Sequence, residues 1–275
     1  MKTIIVATDF SGTAMNAANF AADMAMSINA ELVLLHVFQI PVVYLEVPIA
    51  VNLQAMTEDI NISLSVVKKK LRARTEGKVK ITTRILTGQF FYELDRLAKQ
   101  TKPYAVLMGS KGNSVATQLF FGRRTLFAMR HLDWPVISVP FEAKFHNIKK
   151  ICLACDYDQV TDNTPVEELR DLLNDFKAEL HVVYAAKGEA YPAEIEESGL
   201  LQELLLPLHP KYHFIPHANA EETIIDFVEK NEIDLLITLP KKRALFNHLL
   251  HKSFSKGLIL YSQVPVIALH TSKIY

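Results

Sequence analysis

With 275 residues, 49% of them hydrophobic and 22% charged, the chain is long enough to fill two ordinary domain cores, which excludes a disordered reading. Its 30 basic residues balance its 30 acidic ones. No stretch reaches the ~18 uninterrupted apolar residues of a membrane span, and the opening run MKTIIVATDF is cut by Asp9 too soon for a signal peptide. The expected compartment is therefore the cytoplasm, with no membrane partner.

In chain order, apolar and β-branched runs place strands near Thr3 to Ala7, Glu31 to Val37, Lys80 to Leu86, Ala105 to Met108 and Val136 to Val139, with helices between them. Ser11 suits the N-cap of the first helix. Lys68, Lys69, Lys70, Arg72 and Arg74 form a basic run assigned to the solvated face of a helix. The interleaved aromatics of a nucleic-acid surface are missing from it, so no nucleic-acid partner is expected. Phe141 to Asn147, FEAKFHN, reads as a short linker.

The chain then begins again. KTIIVATDFSG recurs in KKICLACDYDQ, aligning Ala7 with Ala154 and Asp9 with Asp156 at an offset of 147 residues. DWPVISVP returns as QVPVIALH, aligning Pro135 with Pro265 at an offset of 130. The second copy is thus 17 residues shorter, the difference of the two offsets, and the excess is expected between Gln39 and Ile62. Thr164, Pro165 and Glu167 form a capping-box pattern ahead of the second copy's first helix. Each copy has the alternation of a parallel α/β sheet, with domains expected at residues 1–141 and 148–275. Residues 1–146 carry net +6 and residues 147–275 net −6. Either the halves attract through this difference, or two solvated surfaces drifted apart in charge.

The richest segment is VLMGSKGNSVATQLFFGRRT, Val106 to Thr125. Glycines where a strand turns into a helix let backbone N–H groups approach a ligand without Cβ interference. The helix that follows offers unpaired donors and a positive dipole end. The segment reads as a phosphate site. At the same places the second copy has Leu239, Lys242 and Lys252, and Pro240 removes a backbone donor. No nucleotide site is expected there, although Lys241, Lys242 and Arg243 leave an anion open. Architecture or partner contact is the reading for this copy.

The glycine segment, the opening KTIIVATDFSG and the closing PVISVP together resemble the universal stress protein family. The family's signature is Gly, two residues, Gly, nine residues, Gly and then Ser or Thr. Gly109, Gly112 and Gly122 match it, Arg123 stands at the Ser/Thr position, and Thr125 agrees with a Thr that often stands two further on. The resemblance implies two Rossmann-like domains of the adenine nucleotide alpha hydrolase type, each a five-stranded parallel sheet flanked by helices. They would pair through their last strands as an intrachain pseudo-dimer, with a homodimer of the whole chain left open. It further implies a bound ATP or related nucleotide, with or without Mg²⁺. On that footing Ala7, Asp9 and Val37 enclose adenosine, and Gly109, Gly112, Gly122 and Thr125 hold phosphates, together with Thr8, Met108, Arg123 and Arg124. Arg123 cannot accept hydrogen bonds as a hydroxyl does, but its fork of donors suits phosphate oxygens.

Other features carry less chemistry. Cys152 and Cys155 form a C-x-x-C inside a strand, where odd spacing sends the side chains to opposite faces, so buried reduced thiols are expected. His248, His251, His209, His213 and His217 lack carboxylates or cysteines at matching spacing and read as surface or packing histidines. Three functions follow. The first, carried forward, is a stress-response protein whose first copy binds a nucleotide without assigned catalytic residues. The second is a slow ATPase with Asp9 as the acidic candidate. The third is a nucleotide-independent interaction module for protein partners, suggested by Arg123 and the degenerate second copy.

Overall fold

The computed structural model describes residues 1–40, 53–110, 115–155, 164–186, 196–216, 220–239 and 254–270. The first half runs β1 (Thr3–Ala7), α1 (Gly12–Ser27), β2 (Glu31–Phe38), α2 (Leu53–Arg74), β3 (Ile81–Thr87), α3 (Phe90–Thr101), β4 (Ala105–Gly109), α4 (Val115–His131) and β5 (Val136–Val139). The second runs β6 (Lys150–Cys155), α5 (Val166–Phe176), β7 (Glu179–Ala186), α6 (Glu196–Leu205), β8 (Lys211–Pro216), α7 (Ala220–Lys230), β9 (Leu235–Thr238), α8 (Phe254–Tyr261) and β10 (Val266–Ala268). Every strand expected in the first half is present within a residue or two of its expected ends.

The strands form one sheet of order β3-β2-β1-β4-β5-β10-β9-β6-β7-β8. All neighbours are parallel except β5 and β10, which meet antiparallel with Ile137 opposite Ile267. The two five-stranded sheets are therefore joined through their last strands, a pseudo-dimer within one chain. The sheet register reproduces both sequence offsets. Ile4 lies opposite Ala105 in the first half, and Ile151 lies opposite Leu235 in the second.

The central strands are buried on both faces, as parallel strands covered by helices must be. Ile4 and Val6 join one cluster with α1, α2 and α5, while Ile5 and Ala7 join the other with α3 and α4. Cys152 and Cys155 are free, buried and divided between the same two clusters, as their odd spacing requires. Burial pushes the Cys152 thiol far up, with a smaller contribution from Cys155. The alanines of α1, among them Ala17, Ala18, Ala21 and Ala25, are shut in completely and let the helix lie close on the sheet. The β2–β3 crossover, which contains the stretch from Gln39 to Ile62 where the excess was expected, is longer than the β7–β8 crossover, and residues 41–52 of that stretch lie outside the described ones. The β2–β3 crossover carries the 22-residue α2, and the β7–β8 crossover carries the 10-residue α6. The basic run lies along α2, where Arg74 forks onto Asp23 at 2.7 and 2.6 Å.

Ser11 caps α1, its hydroxyl accepting the Ala14 N–H at 3.2 Å. The capping box expected at Thr164, Pro165 and Glu167 does not form. α5 starts at Val166 with Pro165 at its cap position and no side-chain cap. Pro165 has φ −78° and ψ 71°, and Val166 N–H donates back to the Thr164 carbonyl at 2.9 Å. That is an inverse γ-turn, which carries Thr164 away from the helix end. The Thr164 hydroxyl is left buried without a partner, and Glu167 pairs with Arg170 instead.

Candidate functional site

In the first half the chain order of strands reverses between β1 and β4. At such a switch point the connections leave in opposite directions and open a crevice beyond the carboxyl ends of the strands. A cleft of about 470 Å³, counted to its open mouth, occupies that place. Its floor is the end of β1, Ala7 and Thr8, beside the end of β4, Met108 and Gly109.

The β1–α1 turn is held by its own side chains. Thr8 Oγ1 accepts the Phe10 N–H at 3.0 Å, and Asp9 Oδ1 accepts the Ser11 N–H at 3.0 Å. Phe10 takes the left-handed conformation, φ 67°, which is costly for a bulky residue. It is compensated by stacking on His36, 4.7 Å between centroids, while the Thr8 carbonyl lies 2.8 Å from His36 Nδ1. The helix N-terminus lining the cleft among the described residues is that of α1, which contributes Ser11, Thr13 and Ala14.

Most of the residues nominated from sequence meet here. Ala7, Thr8, Asp9, Val37, Met108, Gly109, Arg124 and Thr125 all line the cleft. Thr125 is buried and donates its hydroxyl to the Gly109 carbonyl at 2.8 Å, tying α4 to the end of β4. The Arg124 guanidinium lies over the Phe90 ring, 5.5 Å from its centre. Gly122 and Arg123 are not among the lining residues. Both lie inside α4, seven and eight residues past its start, beyond the N–H groups that a helix leaves unpaired. Gly112 lies outside the described residues.

Gly109 has a packing reason for its missing side chain. A Cβ there would sit 2.6 Å from Thr13 Cγ2 and 2.9 Å from the Thr13 carbonyl oxygen, so glycine is what lets α1 approach β4. At Gly122 a Cβ would meet, among the described residues, Leu260 Cδ2 at 3.2 Å and the Ser110 carbonyl at 3.5 Å. The sequence reading missed Phe90, Thr13 and Phe10. Phe90 follows Gly88, whose φ of 142° needs glycine, so a glycine at the end of a strand was the available signal for the turn that delivers the ring.

In the second half Leu239 occupies the place of Gly109 and packs against the core. Asp156, Pro240, Lys241, Lys242, Arg243, His248, His251, Lys252 and His217 lie outside the described residues. His213, on edge strand β8, stacks on His181 of β7, with His213 Nε2 3.1 Å from His181 Nδ1. Burial lowers both imidazoles' affinity for protons, reinforced at His181 by Lys211 and at His213 by His181 itself. No group of three or more metal-binding side chains is found among the described residues. No described helix is long and apolar enough to cross a membrane.

The family model described as the universal stress protein family matches residues 1–140. No curated protein matches the chain. Among solved structures, a universal stress protein from Archaeoglobus fulgidus DSM 4304 superposes with a TM-score of 0.72 at 17% identity, over 99% of this chain and 97% of that one. A protein of unknown function from Pseudomonas aeruginosa PAO1 gives a TM-score of 0.59 at 13% identity, over 98% and 92%. A universal stress protein solved in complex with cAMP covers 50% of this chain and 96% of its own, at 21% identity and a TM-score of 0.39. The chain belongs to the universal stress protein family, its first half carrying the family's sequence and its second half repeating the fold.

Proposed function

We propose that the first half binds ATP or a related nucleotide in the switch-point cleft, as a stress-response protein that senses or holds the nucleotide rather than turning it over efficiently. One observation carries this reading: the cleft lies at the carboxyl ends of β1 and β4, where an open α/β sheet places its ligands. Adenosine is assigned to Ala7, Asp9 and Val37, and the phosphates to Gly109, Arg124 and Thr125, with Thr8 and Met108 forming the floor. Arg124, which lines the cleft with its guanidinium over the Phe90 ring, offers a fork of donors to phosphate oxygens. Asp9 lines the cleft on the adenosine side. It also accepts the Ser11 N–H, a structural task that suits binding more than general-base chemistry. Gly112, Gly122 and Arg123 are assigned to the phosphate side only through the signature. Residues 1–141 form the nucleotide-binding unit and residues 148–275 an architectural or partner-binding unit, in a protein of the cytoplasm.

Titration calorimetry with Mg·ATP, AMP and cAMP tests this on wild type, Arg124→Ala and Val37→Trp. The expected result is saturable binding of one nucleotide per chain. Arg124→Ala weakens ATP about tenfold, ~1.4 kcal/mol, more than it weakens AMP. Val37→Trp, which fills the cleft, abolishes binding. No saturable heat at millimolar nucleotide, or unchanged affinity in Val37→Trp, overturns the assignment.

A further inference from the structure

Helix α2 is seated through one stripe and presents another to solvent. Leu64, Val67 and Leu71 are buried, with Ile60 packed against them, and this spacing holds the helix on α1, β2 and β3. Ile62 and Val66 stand two residues before and after Leu64, about 200° around the helix, so they face away from the sheet. They are 60% and 50% exposed. One helical turn apart, they meet as an apolar patch in the middle of the helix.

Charge is segregated about that patch. Glu58 and Asp59 precede it, Lys69 and Lys70 follow it, and all four are exposed. No residue of opposite charge stands three or four positions from any of them, so the helix cannot pair them within itself. None of the four has an ion-pair partner among the described residues. The helix dipole favours acids early and bases late, but it gives no role to the two exposed apolar side chains between them.

We propose that the outward face of α2 docks α2 of a second copy of this chain, antiparallel, as a two-fold dimer. The stripe is its own complement. A two-fold axis across Leu64 sets Ile62 opposite Val66, Asp59 opposite Lys69 and Glu58 opposite Lys70, each pair occurring twice. Asp59, Ile62, Val66 and Lys69 follow one another at intervals of three, four and three, the alternation that keeps a single seam between two helices in contact. Ser65 lies beside the axis and Ala55 falls opposite Ala73, so small side chains allow close approach at the centre and at both ends. A partner of uniform charge would meet one end of the stripe with like sign, whereas the same helix reversed meets both ends with opposite sign. The seam from Ala55 to Ala73 is about 27 Å long, at the small end of stable interfaces, which sets dissociation at about micromolar concentration. None of its residues lines the cleft, so the dimer stands independently of the nucleotide.

Analytical ultracentrifugation of the full chain from about 1 to 100 µM reads the association. Wild type is expected to pass from one chain to two across that range. Ile62→Asp changes an exposed position, so folding tolerates it, and it acts twice across the axis, weakening the dimer about tenfold or more. Two charge variants test the pairing itself. Glu58→Lys with Asp59→Lys leaves the stripe wholly basic, and Lys69→Glu with Lys70→Glu leaves it wholly acidic. Each alone is expected to remain a single chain, and an equal mixture to form dimers containing one of each. Circular dichroism verifies the fold of every variant. A wild type that stays a single chain throughout, a dimer unaffected by Ile62→Asp, or a mixture that does not associate overturns the proposal. So does growth past two chains, which assigns the stripe to a different surface of the next copy.

Discussion

The two halves share one sheet plan and differ at the ends of equivalent strands. Where β4 ends, Gly109 admits α1 so closely that Thr13 fills the space of its missing side chain. Where β9 ends, Leu239 packs on the core instead. Where β1 leads into its helix, Ser11 caps α1 and the turn lines a cleft. Ahead of α5, Pro165 closes a γ-turn and no side chain caps the helix. Strand register is enforced by burial on both faces, so it survives duplication, whereas the turns are held by a few side chains each and drift. The repeat therefore preserved architecture more strictly than chemistry.

The largest expected effect comes from putting a side chain where the halves differ most. Gly109→Val drives branched carbons into the Thr13 backbone and should cost about 3 kcal/mol in urea unfolding, with or without nucleotide. A cost near zero would mean that α1 does not approach β4 as described. Asn16→Ala, which strips donors from two linker carbonyls, should cost about 1–2 kcal/mol by the same measurement. Sharper still is the pair of helix starts. Ser11→Ala should lose about 1 kcal/mol, while Thr164→Ala, whose hydroxyl caps nothing, should stay within about 0.5 kcal/mol of wild type. Equal losses would restore the capping box to α5.

The smallest effect is a pH dependence confined to the second half. His181 and His213 both hold protons less tightly in the fold than in the unfolded chain. The unfolded state therefore binds more protons as pH falls through the imidazole range near ~6.5, and stability is lost on acidification and regained above it. One nitrogen of the facing pair must accept, and charging both rings would set two donors against each other at 3.1 Å. Melting temperatures measured from pH 7.5 to 5.5 should fall more for wild type than for His213→Phe. A parallel fall in both would remove the pair from the pH response.

Much of the plan was legible in the chain itself. Apolar runs with polar flanks located β1, β2, β4 and β5, because a strand buried on both faces has to be almost wholly apolar, while the edge strand β3 was found from its β-branched run. The offsets of 147 and 130 residues foretold the duplicated sheet, since equivalent strands keep equivalent neighbours. Gly109 was nominated from the glycine spacing and Asp9 through the family resemblance, and both line the cleft. Phe90 could not be, because nothing in TGQFF says which ring will lie under Arg124.

The sequence by itself determined the α/β alternation, the duplication and the family. All three are written in local periodicity and in similarity between segments, which need no knowledge of distant contacts. Only the tertiary structure decided that Gly109 serves helix packing, that Gly122 lies within α4, and that Pro165 sits in a turn. Each of these depends on which atoms from remote parts of the chain arrive within a few ångströms of one another, and residue spacing along the chain does not encode those distances.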